Sequence, residues 1–178
     1  TGLIALRSTE EVSLTVETAQ ALQRVDTAEF AKASATKIEE VSGVYQFLKR
    51  GFELVARAEA VQPQIEAVVH HAVRVGFEQV VVQAQVDYTI KKAGLFSLRL
   101  TLPAGYKVEA VTGPKIQQWN EKTEEHLLEV SLQERALGAF QLGVVLRRSY
   151  PALPATLEAV GVHPLNVSKL TGYLAVVA

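Results

Sequence analysis

The chain has 178 residues, of which 48% are hydrophobic and 21% are charged, and its formal net charge is -1. This composition excludes intrinsic disorder, and without a block of basic residues we expect neither nucleic-acid binding nor attraction to an anionic membrane. Cysteine is absent, which excludes disulfides and thiolate chemistry.

The first third of the chain predicts short strands and one helix. Apolar and polar residues alternate in "EVSLTVE" and again in "FELVARAEA", which is the pattern of a strand with one buried and one solvent-exposed face. Between them, Asp26 and Glu29 have the spacing of a helix capping box, so we expect one short helix near residues 26–41. The Ala/Ser/Thr-rich middle of that segment would suit a loop equally well.

The rest of the chain predicts longer strands. "IEAVVHHAVRV" is rich in β-branched residues, which favours a strand over a helix. In "EQVVVQAQVDYTIKK" every second residue from Val80 to Ile90 is apolar or aromatic. The same alternation recurs in "LFSLRLTL", in "KVEAV", around residues 128–133 and around residues 140–147.

These segments amount to roughly ten to twelve strands joined by short turns that contain Gly or Pro. One-sided strands with sequential connections are what two packed antiparallel sheets need. We therefore predict a mainly β protein, a two-sheet antiparallel β-sandwich with one short helix. A closed barrel satisfies the same alternation.

The domain organisation is predicted as one β-sandwich module, residues 1–178, with a sub-boundary near residues 43–51. The chain opens on "TGLIALRS" and residues 171–178 read "TGYLAVVA". This shared phrase suggests that the chain is a piece of a longer, repetitive protein in which 171–178 begins the next repeat; two strands that match by chance are the alternative. Since no stretch of about 18 apolar residues occurs, we expect no membrane insertion and no signal peptide within these boundaries.

Several structural motifs follow one another from about Phe52 to Ala178. They are "VDYTIKKAGLFSLRLTLPAGYKVEAVTG", Trp119, "LLEVSL", "GAFQLGVVLRR" and the phrase "TGYLAV". In this order they resemble β-sandwich segments of large, uncharacterised bacterial cell-envelope proteins of the planctomycete kind. The resemblance implies an extracytoplasmic (periplasmic or cell-surface) scaffold of several domains, and it carries no catalytic residue over to this chain.

Metal and cofactor sites are not expected. His70 and His71 are adjacent on a predicted strand and so point to opposite faces, where they cannot chelate one ion together. His126 and His163 are isolated in the sequence. No nucleophile elbow, phosphate-binding glycine loop or zinc-binding helix motif is present, so we predict a protein without enzymatic activity or cofactor.

A ligand site, if one exists, is predicted to include Trp119, Tyr106, Tyr150 and Asp87. Trp119 precedes the polar turn "NEKTEE" and would form a sugar-binding platform near the two tyrosines if exposed; alternatively it closes one end of the core. Asp87 lies on the polar side of the longest predicted strand, where it could face a groove. 

Two functional hypotheses follow from these features. The first is a non-enzymatic structural or interaction module, whose partners are neighbouring domains of the same chain or other proteins and whose contacts use edge strands. The alternative is a carbohydrate-binding or carbohydrate-processing accessory domain. An exposed Trp119 on a concave surface beside a carboxylate would favour the alternative.

Overall fold

The computed structural model describes residues 1–34, 40–152 and 154–178. The chain divides into two compact units, Thr1–Gln62 and Pro63–Ala178. Each unit is built mainly of strands, as the alternation predicted.

The first unit contains five strands and one helix among its described residues. The elements are β1 (Gly2–Arg7), β2 (Val12–Gln20), β3 (Leu22–Val25), α1 (Thr27–Ser34), β4 (Val41–Phe47) and β5 (Glu53–Ala60). Strands β1, β4 and β3 form one sheet, and β2 pairs antiparallel with β5 in a second sheet.

Helix α1 begins where the sequence predicted. The carboxylate Oδ1 of Asp26 accepts a hydrogen bond from the main-chain nitrogen of Ala28 at 2.8 Å, which satisfies one of the unpaired N–H groups at the helix start. The helix is described to Ser34, and the part of the predicted segment at residues 35–39 lies outside the described residues.

The second unit consists of one sheet of seven strands. The strands are β6 (Gln64–Val75), β7 (Gln79–Thr101), β8 (Lys107–Thr112), β9 (Ile116–Lys122), β10 (Leu127–Ser149), β11 (His163–Pro164) and β12 (Lys169–Val177), with a single turn of 3-10 helix at Thr123–Glu125. Their hydrogen-bonded order is β12-β6-β7-β10-β8, while β11 also pairs with β7 and β9 with β10.

The two longest strands, β7 and β10, bend this sheet over its own core. Their pairing is irregular between Ser131 and Gly138, close to the left-handed residues Lys92 (φ 71°) and Gly138 (φ 79°). On one side of the irregularity they continue with β6, β12 and β8, and on the other side with β9 and β11. Bulges of this kind let one strand pass from one layer of a sandwich to the other.

The core lies between these two layers. Alternate residues of both halves of β7 are buried, from Val80 to Ile90 and then at Leu98 and Leu100. They form one cluster with side chains of β6 and β10, and the largest fully buried members on β10 are Leu128, Leu142 and Leu146. The arrangement is therefore sandwich-like, as predicted.

The prediction of two antiparallel sheets is wrong in two details. The described residues form three hydrogen-bonded sheets, because the two layers of the second unit are one bent sheet and the first unit adds two more. In addition, β12 pairs parallel with β6, which the long connection after β10 permits. The hydrogen-bonded path runs from β12 to β8 without closing, unlike that of the alternative barrel.

The division between the units falls between Gln62 and Pro63. The sub-boundary expected near residues 43–51 falls instead on β4 and the loop that follows it, inside the first unit. The phrase at residues 171–178 forms most of β12 and completes the sheet of the second unit, and that it begins a further repeat stays a prediction.

Candidate functional site

Strand β12 is an apolar edge strand of the seven-stranded sheet in the second unit, which we call the large sheet. It pairs with β6 on one side and ends the strand order, so its other side presents main-chain N–H and C=O groups. Its apolar side chains are exposed on both faces, for example Tyr173 at 59%, Leu174 at 45% and Val176 at 54%. Proteins usually protect such an edge with charge, proline or a bulge, but after Lys169 this strand has none of these.

A groove of about 600 Å³ runs along the core side of this edge. Leu170 and Leu174 of β12 form one wall of the groove, Leu102 and Pro103 after β7 form another, and the segment Ala159–His163 contributes a third. Leu170 and Leu174 point to the core side but stay exposed, so the second layer does not reach over β12.

The half-buried His71 of β6 contacts both the segment Ala159–His163 and strand β12. Its Nε2 lies 3.0 Å from the main-chain nitrogen of Val162, from which it can accept a hydrogen bond, and 3.2 Å from the carbonyl oxygen of the same residue. The ring also hydrogen-bonds to the backbone of Tyr173 in β12. Burial lowers the pKa of His71, which favours the neutral ring that accepts from Val162.

A polar network covers the outer face of the same sheet. The carboxylate of Asp87 accepts hydrogen bonds from the side-chain amides of Gln141 at 2.8 Å and Gln85 at 3.2 Å. Nε2 of His70 lies 3.6 Å from the same carboxylate, and the His70 ring stacks on Tyr173 with ring centroids 5.1 Å apart. The network therefore crosses four neighbouring strands, β12, β6, β7 and β10.

Beside this network lies a shallow trough of about 560 Å³. His70, Gln83, Gln85 and Gln141 supply its polar side chains, and Thr112 at the end of β8 adds a hydroxyl. Its lining contains no lysine, arginine, aspartate or glutamate. The trough is thus a mainly apolar surface with several neutral polar side chains and no charged ones.

The four residues predicted for a ligand site do not form one site. Asp87 lies on the outer face beside the trough, as its position on the polar side of the strand suggested. Trp119 pairs with Val130 in the N-terminal half of β10 and is 39% exposed. Tyr106 and Tyr150 instead meet around Arg148 at the opposite end of that strand.

Tyr106 is buried rather than available as a platform. The Arg148 guanidinium lies 5.9 Å from its ring centroid and 4.9 Å from that of Tyr150. Burial, followed by the proximity of Tyr150, raises the pKa of Tyr106. This cluster covers one end of the core and does not offer a flat aromatic surface to a ligand.

His70 and His71 lie on opposite faces of β6 and have different contact partners. His70 contacts Asp87 on the outer face, whereas His71 contacts Val162 on the core side. No group of three or more metal-ligating side chains occurs in residues 1–34, 40–152 and 154–178.

Sequence reasoning missed the contributions of His71, Gln141 and Leu174. The parity of β6 would have placed His71 on the core side, where a polar ring needs a partner. Gln141 could be found only from the register of β10 against β7, because 54 residues separate it from Asp87. Leu174 carries no signal of exposure, since the continuous apolar run from Tyr173 to Val177 looks like that of a strand covered on both faces.

Comparison with known proteins leaves the chain unassigned. No protein-family model and no curated protein matches it. Among solved structures it is similar to a two-domain M1 zinc metallopeptidase variant bound to L-tryptophan, at 14% identity and a TM-score of 0.40, covering 52% of this chain and 23% of the peptidase chain. It is also similar to a non-cellulosomal cohesin from the archaeon Archaeoglobus fulgidus, at 17% identity and a TM-score of 0.38, covering 65% of this chain and 92% of the cohesin.

These similarities are too weak to assign a function. The chain spans less than a quarter of the length of the peptidase that it matches. Within the described residues, none of the helices has the length and apolar character that crossing a membrane requires.

Proposed function

We propose that the protein is a non-enzymatic interaction module that binds an extended segment of a partner protein along β12. The observation that carries this proposal is the unprotected edge of β12, with exposed apolar side chains on both of its faces. A partner strand would pair with the free main-chain groups and extend the sheet.

The groove identifies the chemistry of the partner segment. Leu170 and Leu174 leave apolar surface open on the core side, and a strand with apolar residues at every second position would cover it. The lining of the groove carries no acidic side chain, lysine or arginine. A neutral, alternating apolar segment therefore fits better than a charged one.

The core of the second unit supports the β12 edge. The strands of this unit share a continuous core, and His71 holds both β12 and the Val162 segment to β6. Because the edge is held in an extended conformation before binding, a partner would not have to order it. The envelope location implied by the sequence resemblance is part of this proposal, and cell fractionation would test it.

A random dodecapeptide library displayed on phage provides the direct test. We expect selection on the intact protein to enrich neutral peptides with apolar residues at alternate positions. Hydrogen exchange of the complex should then show new protection of β12 amides.

Paired variants make the test specific. Leu174→Asp places a charge in the groove, and Leu137→Asp places the same charge at an apolar residue that is exposed elsewhere on the same unit. Selected peptides should bind Leu174→Asp at least about tenfold more weakly, a loss that corresponds to about 1.4 kcal/mol, while Leu137→Asp should bind as the parent does. Enrichment of peptides without alternation, or equal binding to both variants, would overturn the proposal.

A further inference from the structure

We infer that the outer face of the large sheet carries a binding site for a neutral saccharide, in the trough bordered by His70, Gln85 and Gln141. This site is separate from the groove along β12. The side chains of His70 and His71 leave β6 on opposite faces, so a ligand in the trough lies across the sheet from the groove.

The first argument is the hydrogen-bonding chemistry of the trough. Gln85 and Gln141 each donate an amide N–H to the carboxylate of Asp87. A primary amide that donates one N–H in this way retains a second N–H and a carbonyl oxygen. Two such amides, fixed by one carboxylate, offer both donors and acceptors at defined positions, which suits a ligand rich in hydroxyl groups.

The second argument is charge. The lining of the trough contains no lysine, arginine, aspartate or glutamate, and its side chains are mainly glutamine, histidine, threonine and small apolar residues. An anionic ligand would find no cationic partner there, and a cationic one would find only the already hydrogen-bonded Asp87 close by. A neutral ligand is therefore favoured over a phosphate, a nucleotide or a polyamine.

The third argument is shape. The trough has a volume of about 560 Å³, within the range of roughly 300–1,000 Å³ that small-molecule sites occupy. Gly143 lies in its floor, where an added Cβ would collide with the hydroxyl of Thr112. The absence of a side chain at Gly143 leaves room for the hydroxyl of Thr112, which also lines the trough.

One ring of an aromatic pair lines the trough: His70 belongs to the lining, whereas its stacking partner Tyr173 does not. The rings of His70 and Tyr173 are stacked at an interplanar angle of 11°, and Asp87 lies 3.6 Å from Nε2 of His70. An aromatic face beside fixed amides is suited to pack against the C–H side of a sugar ring while its hydroxyls reach the amides. The saccharide site thus uses Asp87 as a positioning residue and the two glutamines as direct contacts.

Two experiments with the intact protein test the inference. The protein is first applied to an array of neutral, acidic and basic oligosaccharides, and the neutral oligosaccharide that binds best is then titrated by calorimetry. We expect a neutral oligosaccharide to bind, and Gln85→Ala and Gln141→Ala each to weaken binding at least about tenfold, the consequence of one lost hydrogen bond of about 1.4 kcal/mol. Gln118→Ala removes an exposed glutamine from β9 and should bind within about twofold of the parent.

Three results would overturn the inference. They are an array on which no saccharide binds, an array on which only acidic or basic saccharides bind, and a loss of affinity that is the same in Gln141→Ala and Gln118→Ala. Circular dichroism of each variant, and unchanged binding of the selected peptides to Gln141→Ala, would show that the fold and the β12 edge are intact. Failure of the saccharide site is thereby distinguished from failure of the peptide site.

Discussion

Nε2 of His71 lies 3.0 Å from the main-chain nitrogen of Val162, so a side chain of β6 satisfies a backbone group 91 residues further along the chain. The contact fixes the segment that leads into β11 against the large sheet. It also makes the stability of the second unit depend on the protonation state of one ring.

Acidification should therefore destabilise the protein through His71. Burial lowers the pKa of His71 in the folded state below its usual value of about 6.5. Below that usual value the unfolded chain binds a proton that the folded chain resists, so the free energy of unfolding falls as the pH drops from about 6.5 toward the folded-state pKa. Urea titrations at several pH values would measure the slope, and a slope that stays unchanged in His71→Ala would contradict the assignment.

Gly161 should be intolerant of any side chain. A Cβ added there would collide with the imidazole of His71 at Nε2, Cδ2 and Cε1, so the ring and the main chain around Val162 would have to separate. We expect Gly161→Ala to cost about 1–3 kcal/mol in the free energy of unfolding, the range for a buried group that loses its partner. Gly172→Ala is the matched control, because a Cβ added at Gly172 would meet only a carbonyl oxygen at 4.0 Å. Gly51→Ala would not serve, since Gly51 has a positive φ of 92°.

The effects of Gly161→Ala and His71→Ala on the free energy of unfolding should also be coupled. If Gly161→Ala acts by displacing the ring, it should cost much less in a His71→Ala background than in the parent. A double-mutant cycle measures this interaction energy directly. Additive effects would show that Gly161 is required for a reason other than His71.

Tyr88 presents a different case, a hydroxyl inside the core. Within the described residues its oxygen is buried without a hydrogen-bond partner, and burial raises the pKa of the phenol. Removing an unpaired buried hydroxyl relieves its desolvation penalty, so Tyr88→Phe should leave the stability unchanged or raise it by up to about 1 kcal/mol. Chemical denaturation is the measurement, and a loss of more than about 1 kcal/mol would mean that the hydroxyl has a partner such as an ordered water.

The alternation of apolar residues predicted the strands because it reports directly which side chains are buried. Every second residue from Val80 to Ile90 faces the core, as the period-two pattern required. The bend of β7 near Lys92 was not predictable in this way. Its left-handed φ is adopted by a lysine, a residue that carries no turn signal.

The candidate sites were harder to predict because they depend on register and sheet order. Asp87 was selected for its polar position, but its partner Gln141 becomes a neighbour only through the pairing of β7 with β10. The exposure of Leu174 follows from the place of β12 at the end of the sheet, and the parallel pairing with β6 could not be read from the local sequence. Trp119 was expected near Tyr106 because it comes just before the polar turn "NEKTEE", whereas the register places the two residues toward opposite ends of β10.

The bend of β7 and β10 over one core predicts that distant core positions unfold together. Leu100 belongs to one half of β7, and Leu142 is paired with Val86 in the other. Leu100→Ala and Leu142→Ala should each cost about 2–5 kcal/mol, whereas Leu137→Ala, at an exposed position, should cost less than about 0.5 kcal/mol. Local unfolding of only one half of the long strands, seen by hydrogen exchange in either core variant, would argue against a shared core.

The division after Gln62 predicts that the second unit folds alone. Residues 63–178 contain the whole seven-stranded sheet and the continuous hydrophobic cluster, while the buried apolar residues of the first unit are Val44 and Tyr45 among those described. A fragment of residues 63–178 should therefore show a cooperative urea transition, since it retains the larger core. The corresponding fragment 1–62 should unfold at lower urea or lack a transition, because so little apolar surface is buried within it. A fragment 63–178 without cooperative unfolding would show that the large sheet needs the first unit to fold.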